Sequence, residues 1–173
     1  IAMASAKIHA GHADAIIAGG SESMSLVPMG GYKVVPNHHV TSEHPDWYFG
    51  MGLTAEAVAR EFGITREECD EFAVQSHERA AKAIDSELFK DEIVPMDIEE
   101  IYYEDGKKKS RNFTHDTDEG VRRGTSMEGL ARLRPVFAKD GIATAGNSSQ
   151  TTDGAAFVLV VSEKVLKEYN LTP

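Results

Sequence analysis

The chain has 173 residues, 41% of them hydrophobic, with 18 Lys and Arg against 28 Asp and Glu for a formal net charge of -10, and a single Cys. That length suits one domain, one cysteine excludes a disulfide framework and a Cys-based zinc site, and the acidic balance argues against nucleic acid or an anionic membrane surface as partner. No apolar run approaches the ~20 residues that cross a bilayer and no basic segment leads into an apolar one at the start, so the expectation is a cytoplasmic protein without a membrane partner.

Ile1, Ala4 and Ile8 recur at helical spacing with neither Met nor a capping residue ahead of them, and Asn170-Leu-Thr-Pro173 closes the chain on a loop signal. Both ends are expected to lie within a longer protein. A short buried strand is expected over 13–18, stopped by Gly19-Gly20, and residues 26–52 carry Pro, Gly and His with no sustained period and read as irregular. Thr54 is expected to cap a helix through Phe62 that Gly63 ends.

Thr65-Arg-Glu-Glu68 fits a capping box, and the helix behind it carries an apolar stripe of Cys69, Phe72, Ala73, Ser76, Ala80, Ala83, Ile84 and Leu88. Asp70, Glu71, Gln75, Glu78, Arg79 and Lys82 read as its solvated face. Residues 93–103 read as a strand, and Asp105-Gly106 as a hairpin turn. The basic residues gather after it, between Lys107 and Arg134, a seat for a phosphate-bearing small ligand. Gly146-Asn-Ser-Ser-Gln150 reads equally as a turn or as the lining of an acyl or amide-bearing ligand. The apolar run 155–161 reads as a strand of an α/β sheet covered on both faces, and Ser162 starts a last helix.

Candidate chemistry is sparse. Cys69 sits on the apolar stripe, where a small buried thiol serves packing, and His77 lies about two helical turns away from it. His38, His39, His44 and Asp46, like His9 and His12, match no zinc spacing, so no metal is expected. Gly50-Met-Gly-Leu-Thr-Ala55 fits G-x-G-x-x-A, but Pro and charges precede it where a dinucleotide site needs a buried strand.

Read together, several stretches resemble one family, the thiolases. They are Ile17-Ala-Gly-Gly-Ser-Glu-Ser-Met-Ser25, Gly52-Leu-Thr-Ala-Glu56, Glu71-Phe-Ala-Val-Gln-Ser-His77, Phe89-Lys-Asp-Glu-Ile-Val-Pro95, Asp118-Glu-Gly-Val-Arg122, Leu133-Arg-Pro-Val-Phe137, and Thr144-Ala-Gly-Asn-Ser-Ser-Gln150 with Asp153-Gly-Ala-Ala156. They follow the family's order across nearly the whole chain.

The resemblance implies an α/β thiolase-like fold, of which residues 1–25 and 140–173 would be parts of the N-terminal α/β domain and 26–139 the inserted loop domain that holds coenzyme A. It implies that Met51 reaches toward the reacting thioester and that Arg122 meets the nucleotide end of coenzyme A. Leu133 and Phe137 would be apolar contacts, and Ala145 and Ser149 pantetheine contacts. The family's nucleophilic cysteine motif would precede the helix that Ile1 enters, and its base histidine and second cysteine would follow Pro173. No catalytic residue is therefore expected in this chain, which by itself would be inactive.

The parent protein would be a degradative acetyl-CoA C-acyltransferase of fatty acid β-oxidation. It would cleave a 3-ketoacyl-CoA with coenzyme A through a cysteine thioester, giving acetyl-CoA and a shortened acyl-CoA. Coenzyme A is the co-substrate, no cofactor is bound permanently, and the assembly is a homodimer or homotetramer. A biosynthetic acetoacetyl-CoA thiolase, whose members place a His where Gly50 stands, and a non-catalytic CoA-ester binding module are the alternatives.

Overall fold

The helical spacing at the start of the chain becomes α1 (Ala2–His9), in which Ala4 is buried. The computed structural model describes residues 1–173. Their contacts form two units, residues 1–37 with 151–173 and residues 38–150.

In the first unit β1 (Ala15–Ser23) pairs antiparallel with β4 (Asp153–Val161) along its whole length. The strand expected to stop at Gly19-Gly20 runs through both glycines, because Gly19 faces Phe157 in the ladder. A Cβ on Gly19 would lie 2.3 Å from the Phe157 ring, so close approach of a neighbouring strand, and not a turn, requires glycine there. Ser25 closes one end of the pair: its backbone N–H donates to the Asp153 carboxylate at 2.9 Å, and its hydroxyl donates to the same group. Ser162 closes the other end. Its N–H donates to the Asp14 carbonyl at 2.8 Å, and its hydroxyl accepts from Val165 to cap α6 (Glu163–Glu168). The run 155–161 is not covered on both faces within this unit, since only α1 and α6 pack against the pair. Phe157 and Leu159 stay 63% and 58% exposed.

The second unit begins with α2 (His38–Glu43) and a 3-10 turn, Pro45–Tyr48, inside the stretch expected to be irregular. The Thr41 and Ser42 hydroxyls both donate to the His38 carbonyl at 2.9 Å, and the His44 ring stacks on Trp47 at 4.5 Å. These bonds come from short-range side-chain chemistry that an apolar period does not reveal. In α3 (Met51–Phe62) the cap is Gly50, not Thr54, whose hydroxyl donates back to the Gly50 carbonyl at 3.2 Å. Gly63 ends the helix in the left-handed region at φ 67°.

The capping box of Thr65 and Glu68 forms in full and starts α4 (Arg66–Asp85). The hairpin of β2 (Met96–Glu104) and β3 (Lys107–His115) turns on Asp105 and Gly106, both at positive φ. Ser126 caps the short α5 (Met127–Ala131). An isolated bridge then joins Pro135 to Thr144, with Val136 N–H donating to the Ala143 carbonyl at 3.0 Å. The core of this unit is small and partly polar: Ala59, Ala73, Leu130 and Ala143 are buried beside Glu56, Asp70 and Thr144. No helix is long and apolar enough to cross a membrane.

Candidate functional site

The α4 stripe holds in part: Ala73 is buried and Cys69, Ala80, Ala83 and Ile84 are half-buried. Phe72, however, is 71% exposed, while Asp70, read as solvated, is 2% exposed. The physical reason is a set of polar partners that outweighs the cost of burying a carboxylate. Arg66, one turn earlier, donates from Nε to Asp70 Oδ2 at 2.7 Å, and from Nη2 to the Leu130 and Leu133 carbonyls at 2.6 and 3.3 Å. Asn147 Nδ2 donates to Asp70 Oδ1 and to the Ile142 carbonyl, both at 2.9 Å. The Asn147 side-chain oxygen accepts from the Thr144 N–H at 2.7 Å.

A second carboxylate holds the same segment from α3. Glu56, also buried, accepts from the N–H groups of Ile142 at 3.0 Å and Ala143 at 2.9 Å. Gly146 N–H donates to the Thr144 hydroxyl at 3.2 Å. The turn over 142–147 is thus tied by side chains of two helices, and no buried side-chain nitrogen or oxygen is left without a partner. Its outer residues Ala145, Ser148 and Ser149 are exposed.

Met51, Arg122, Leu133, Phe137, Ala145 and Ser149 all fall in the unit 38–150. Met51 opens α3 and is exposed, and the following Gly52 lies against the Phe137 ring, which a Cβ there would meet at 2.3 Å. Leu133 lies against Gly146, beside Ala145, where a Cβ would meet it at 2.5 Å. The Pro135–Thr144 bridge therefore carries Leu133 and Phe137 on one side and Ala145 on the other. Gly120 approaches the Gln150 side chain, which brings the 118–122 loop to the residue after Ser149.

Arg122 is exposed, and its guanidinium has no acidic partner. Its own N–H donates to His77 Nδ1 at 3.2 Å, and its carbonyl accepts from the Thr125 hydroxyl at 2.7 Å. The neighbouring Arg123 is committed instead to Asp85 at 2.8 Å, which lowers the Asp85 pKa. One cation of the pair is used to hold α4 and the other stays available.

Cys69 has a thiol pushed above its ordinary pKa, first by burial and then by the negative charges of Asp70, Glu68 and Glu56. A protonated thiol in acidic surroundings is a poor nucleophile. The His and acidic side chains of 38–46 do not converge, and no group of three or more His, Cys, Asp or Glu is placed to hold a metal ion. The joint role of Arg66, Glu56, Asp70 and Asn147 in tying this turn has no signature in the local sequence. The available signal was the i, i+4 spacing of Arg66 and Asp70, which reads as an ordinary surface pair until its distant partners are known.

The sequence matches the thiolase N-terminal domain family over residues 1–164. The 3-ketoacyl-CoA thiolase of Bacillus subtilis is 47% identical over 174 residues, covering 100% of this chain and 44% of that protein. The dimeric peroxisomal thiolase of Saccharomyces cerevisiae superimposes with a TM-score of 0.78 at 36% identity, over 96% of this chain and 41% of that one. Human mitochondrial 3-ketoacyl-CoA thiolase in complex with CoA superimposes with a TM-score of 0.72 at 34% identity, over 97% of this chain and 42% of that one. The chain belongs to the thiolase family, and it spans less than half the length of these relatives.

Proposed function

We propose that this chain supplies the coenzyme A-holding surface of a degradative 3-ketoacyl-CoA thiolase. The whole enzyme transfers an acyl group between 3-ketoacyl-CoA and coenzyme A through a cysteine thioester, releasing acetyl-CoA and a shortened acyl-CoA. We assign residues 26–139 to the loop domain and 1–25 with 140–173 to the N-terminal α/β half. Residues 140–150 pack with the loop-domain unit. Arg122 serves the phosphate-bearing nucleotide end, Leu133 and Phe137 the apolar contacts, Ala145 and Ser149 the pantetheine, and Met51 the region of the thioester.

The observation that carries this reading is the unpaired Arg122 guanidinium on a loop pinned through its own backbone to α4. A guanidinium free of carboxylates is suited to a phosphate, with which it forms charge-assisted hydrogen bonds. The nucleophile belongs to the rest of the enzyme, since Cys69 is held protonated. A homodimer accords with the dimeric yeast relative.

Calorimetric titration of the chain with coenzyme A tests the reading. Arg122→Ala is expected to weaken binding about tenfold, the scale of one charge-assisted contact, and Arg123→Ala to leave it nearly unchanged. Equal effects of the two substitutions would remove Arg122 from the site. Acyl transfer by this chain above a Cys69→Ala control would overturn the assignment of the nucleophile elsewhere.

A further inference from the structure

We infer that Asp70 and Asn147 are positioning residues, which hold the 142–149 turn in the form that presents its outer backbone to the pantetheine arm of an acyl-CoA. The inference rests on the coenzyme A reading above.

Its ground is an asymmetry in the turn. The inward N–H groups of Ile142, Ala143, Thr144 and Gly146 are all taken up, by Glu56, by Asn147 and by the Thr144 hydroxyl. The Ala145 N–H faces the Arg134 carbonyl across the Pro135–Thr144 bridge, whereas the N–H groups of Ser148 and Ser149 have no partner within the protein, and both residues are exposed. Adjacent free donors at the end of a turn whose donors from Ile142 to Gly146 are taken up form a preorganised surface for carbonyl oxygens. Amide and thioester carbonyls are what a pantetheine chain offers.

Asp70 is the hinge of this arrangement because it joins two otherwise separate clamps. Through Arg66 it is tied to the carbonyls of Leu130 and Leu133, and through Asn147 to the turn itself. Asn in place of Asp70 keeps the shape, but it offers a single acceptor oxygen where Arg66 and Asn147 together demand two. Ala in place of Asn147 frees the Thr144 N–H and the Ile142 carbonyl together.

The test uses the 173-residue chain with Asp70→Asn and Asn147→Ala, read by residue-resolved amide hydrogen exchange and by titration with two ligands, coenzyme A and adenosine 3′,5′-bisphosphate. The second ligand has the nucleotide end and no pantetheine. Both variants are expected to speed exchange at Thr144 and Gly146 at least tenfold while the β2–β3 amides keep their rates. Coenzyme A affinity should fall about tenfold and bisphosphate affinity should not change. Arg122→Ala, by contrast, should weaken both ligands and leave exchange in the turn alone.

Unchanged exchange at Thr144 and Gly146 in both variants would overturn the inference. So would loss of both ligands in parallel, the mark of a merely structural role. Failure of the unsubstituted chain to bind either ligand would overturn the coenzyme A reading and the ligand half of the inference, while exchange would still decide whether Asp70 holds the turn.

Discussion

Glu56 shows how much a single buried carboxylate can organise when its acceptors face two main-chain donors. Its two oxygens take the N–H groups of Ile142 and Ala143, one each, and the close approach leaves no room for a side chain at Gly141. Removing the carboxylate strands two donors, one of them on the buried Ala143. Glu56→Ala is therefore expected to cost about 2–6 kcal/mol, at roughly 1–3 kcal/mol for each unsatisfied group. Glu56→Gln, which retains one acceptor, should cost less. Urea unfolding of the chain gives both values, and equal losses would show that shape and not hydrogen bonding holds the segment.

Asp153 behaves differently because it is at the surface. Its carboxyl is held below the ordinary value near 3.8, first by the Ser25 hydroxyl and then by the Ser25 N–H. A carboxyl whose folded pKa is depressed stabilises the fold above its unfolded pKa and loses that contribution as the pH falls through the folded value. The tie between Ser25 and Asp153 should therefore weaken on acidification below about pH 4, where unfolded carboxylates take up protons. Ser25→Ala should bring the Asp153 titration back up toward the ordinary value. Carboxyl chemical shifts followed against pH measure this directly, and an unmoved midpoint in the variant would remove Ser25 as the cause.

At the scale of elements, the start of α3 is governed by contact and not by capping. Gly50 caps the helix without a side-chain bond, and Gly52 two residues on presses against the Phe137 ring. A Cβ at position 52 would lie 2.3 to 2.4 Å from three ring carbons, so the ring or the helix must shift. Gly52→Ala gains helix propensity but overpacks this contact, and the expected net loss is about 1–3 kcal/mol. Since Phe137 is a proposed apolar contact of the coenzyme, its displacement should lower coenzyme A affinity as well. A variant as stable as the parent would mean the ring relaxes freely. In α4 the capping box works as its spacing promises, but the buried face is rotated toward Asp70 and Ala73 because the packed partner is polar.

At the scale of the whole molecule the two units differ in what protects them. The β1–β4 pair is a two-stranded sheet with Ile17, Phe157 and Leu159 more than half exposed. A two-stranded ribbon with little burial is marginal in water. The 38–150 unit has buried polar ties between α3, α4 and the 142–147 turn. Amide exchange of β1 and β4 is therefore expected to be faster than that of mid-α4 under native conditions. Slower exchange in β4 than in α4 would show that strand pairing outweighs those ties.

What the amino-acid sequence determined by itself is whatever depends on residues within a few positions of one another. The Thr65–Glu68 capping box, the Asp105-Gly106 turn and the Ser162 cap formed as read, because each is closed by a backbone group no more than four residues away. The order of the family's motifs is likewise a property of the chain alone, and it was enough to name the family. Where a role depends on a distant partner, local reading goes astray. Asp70 reads as surface because its partner Asn147 lies 77 residues on, and Glu56 has no local signature because its donors lie 86 and 87 residues away. Gly19-Gly20 reads as a stop because the strand that needs the space comes more than 130 residues later. Only the tertiary structure decided these, since burying a charge is stable only where folding brings its partners to it.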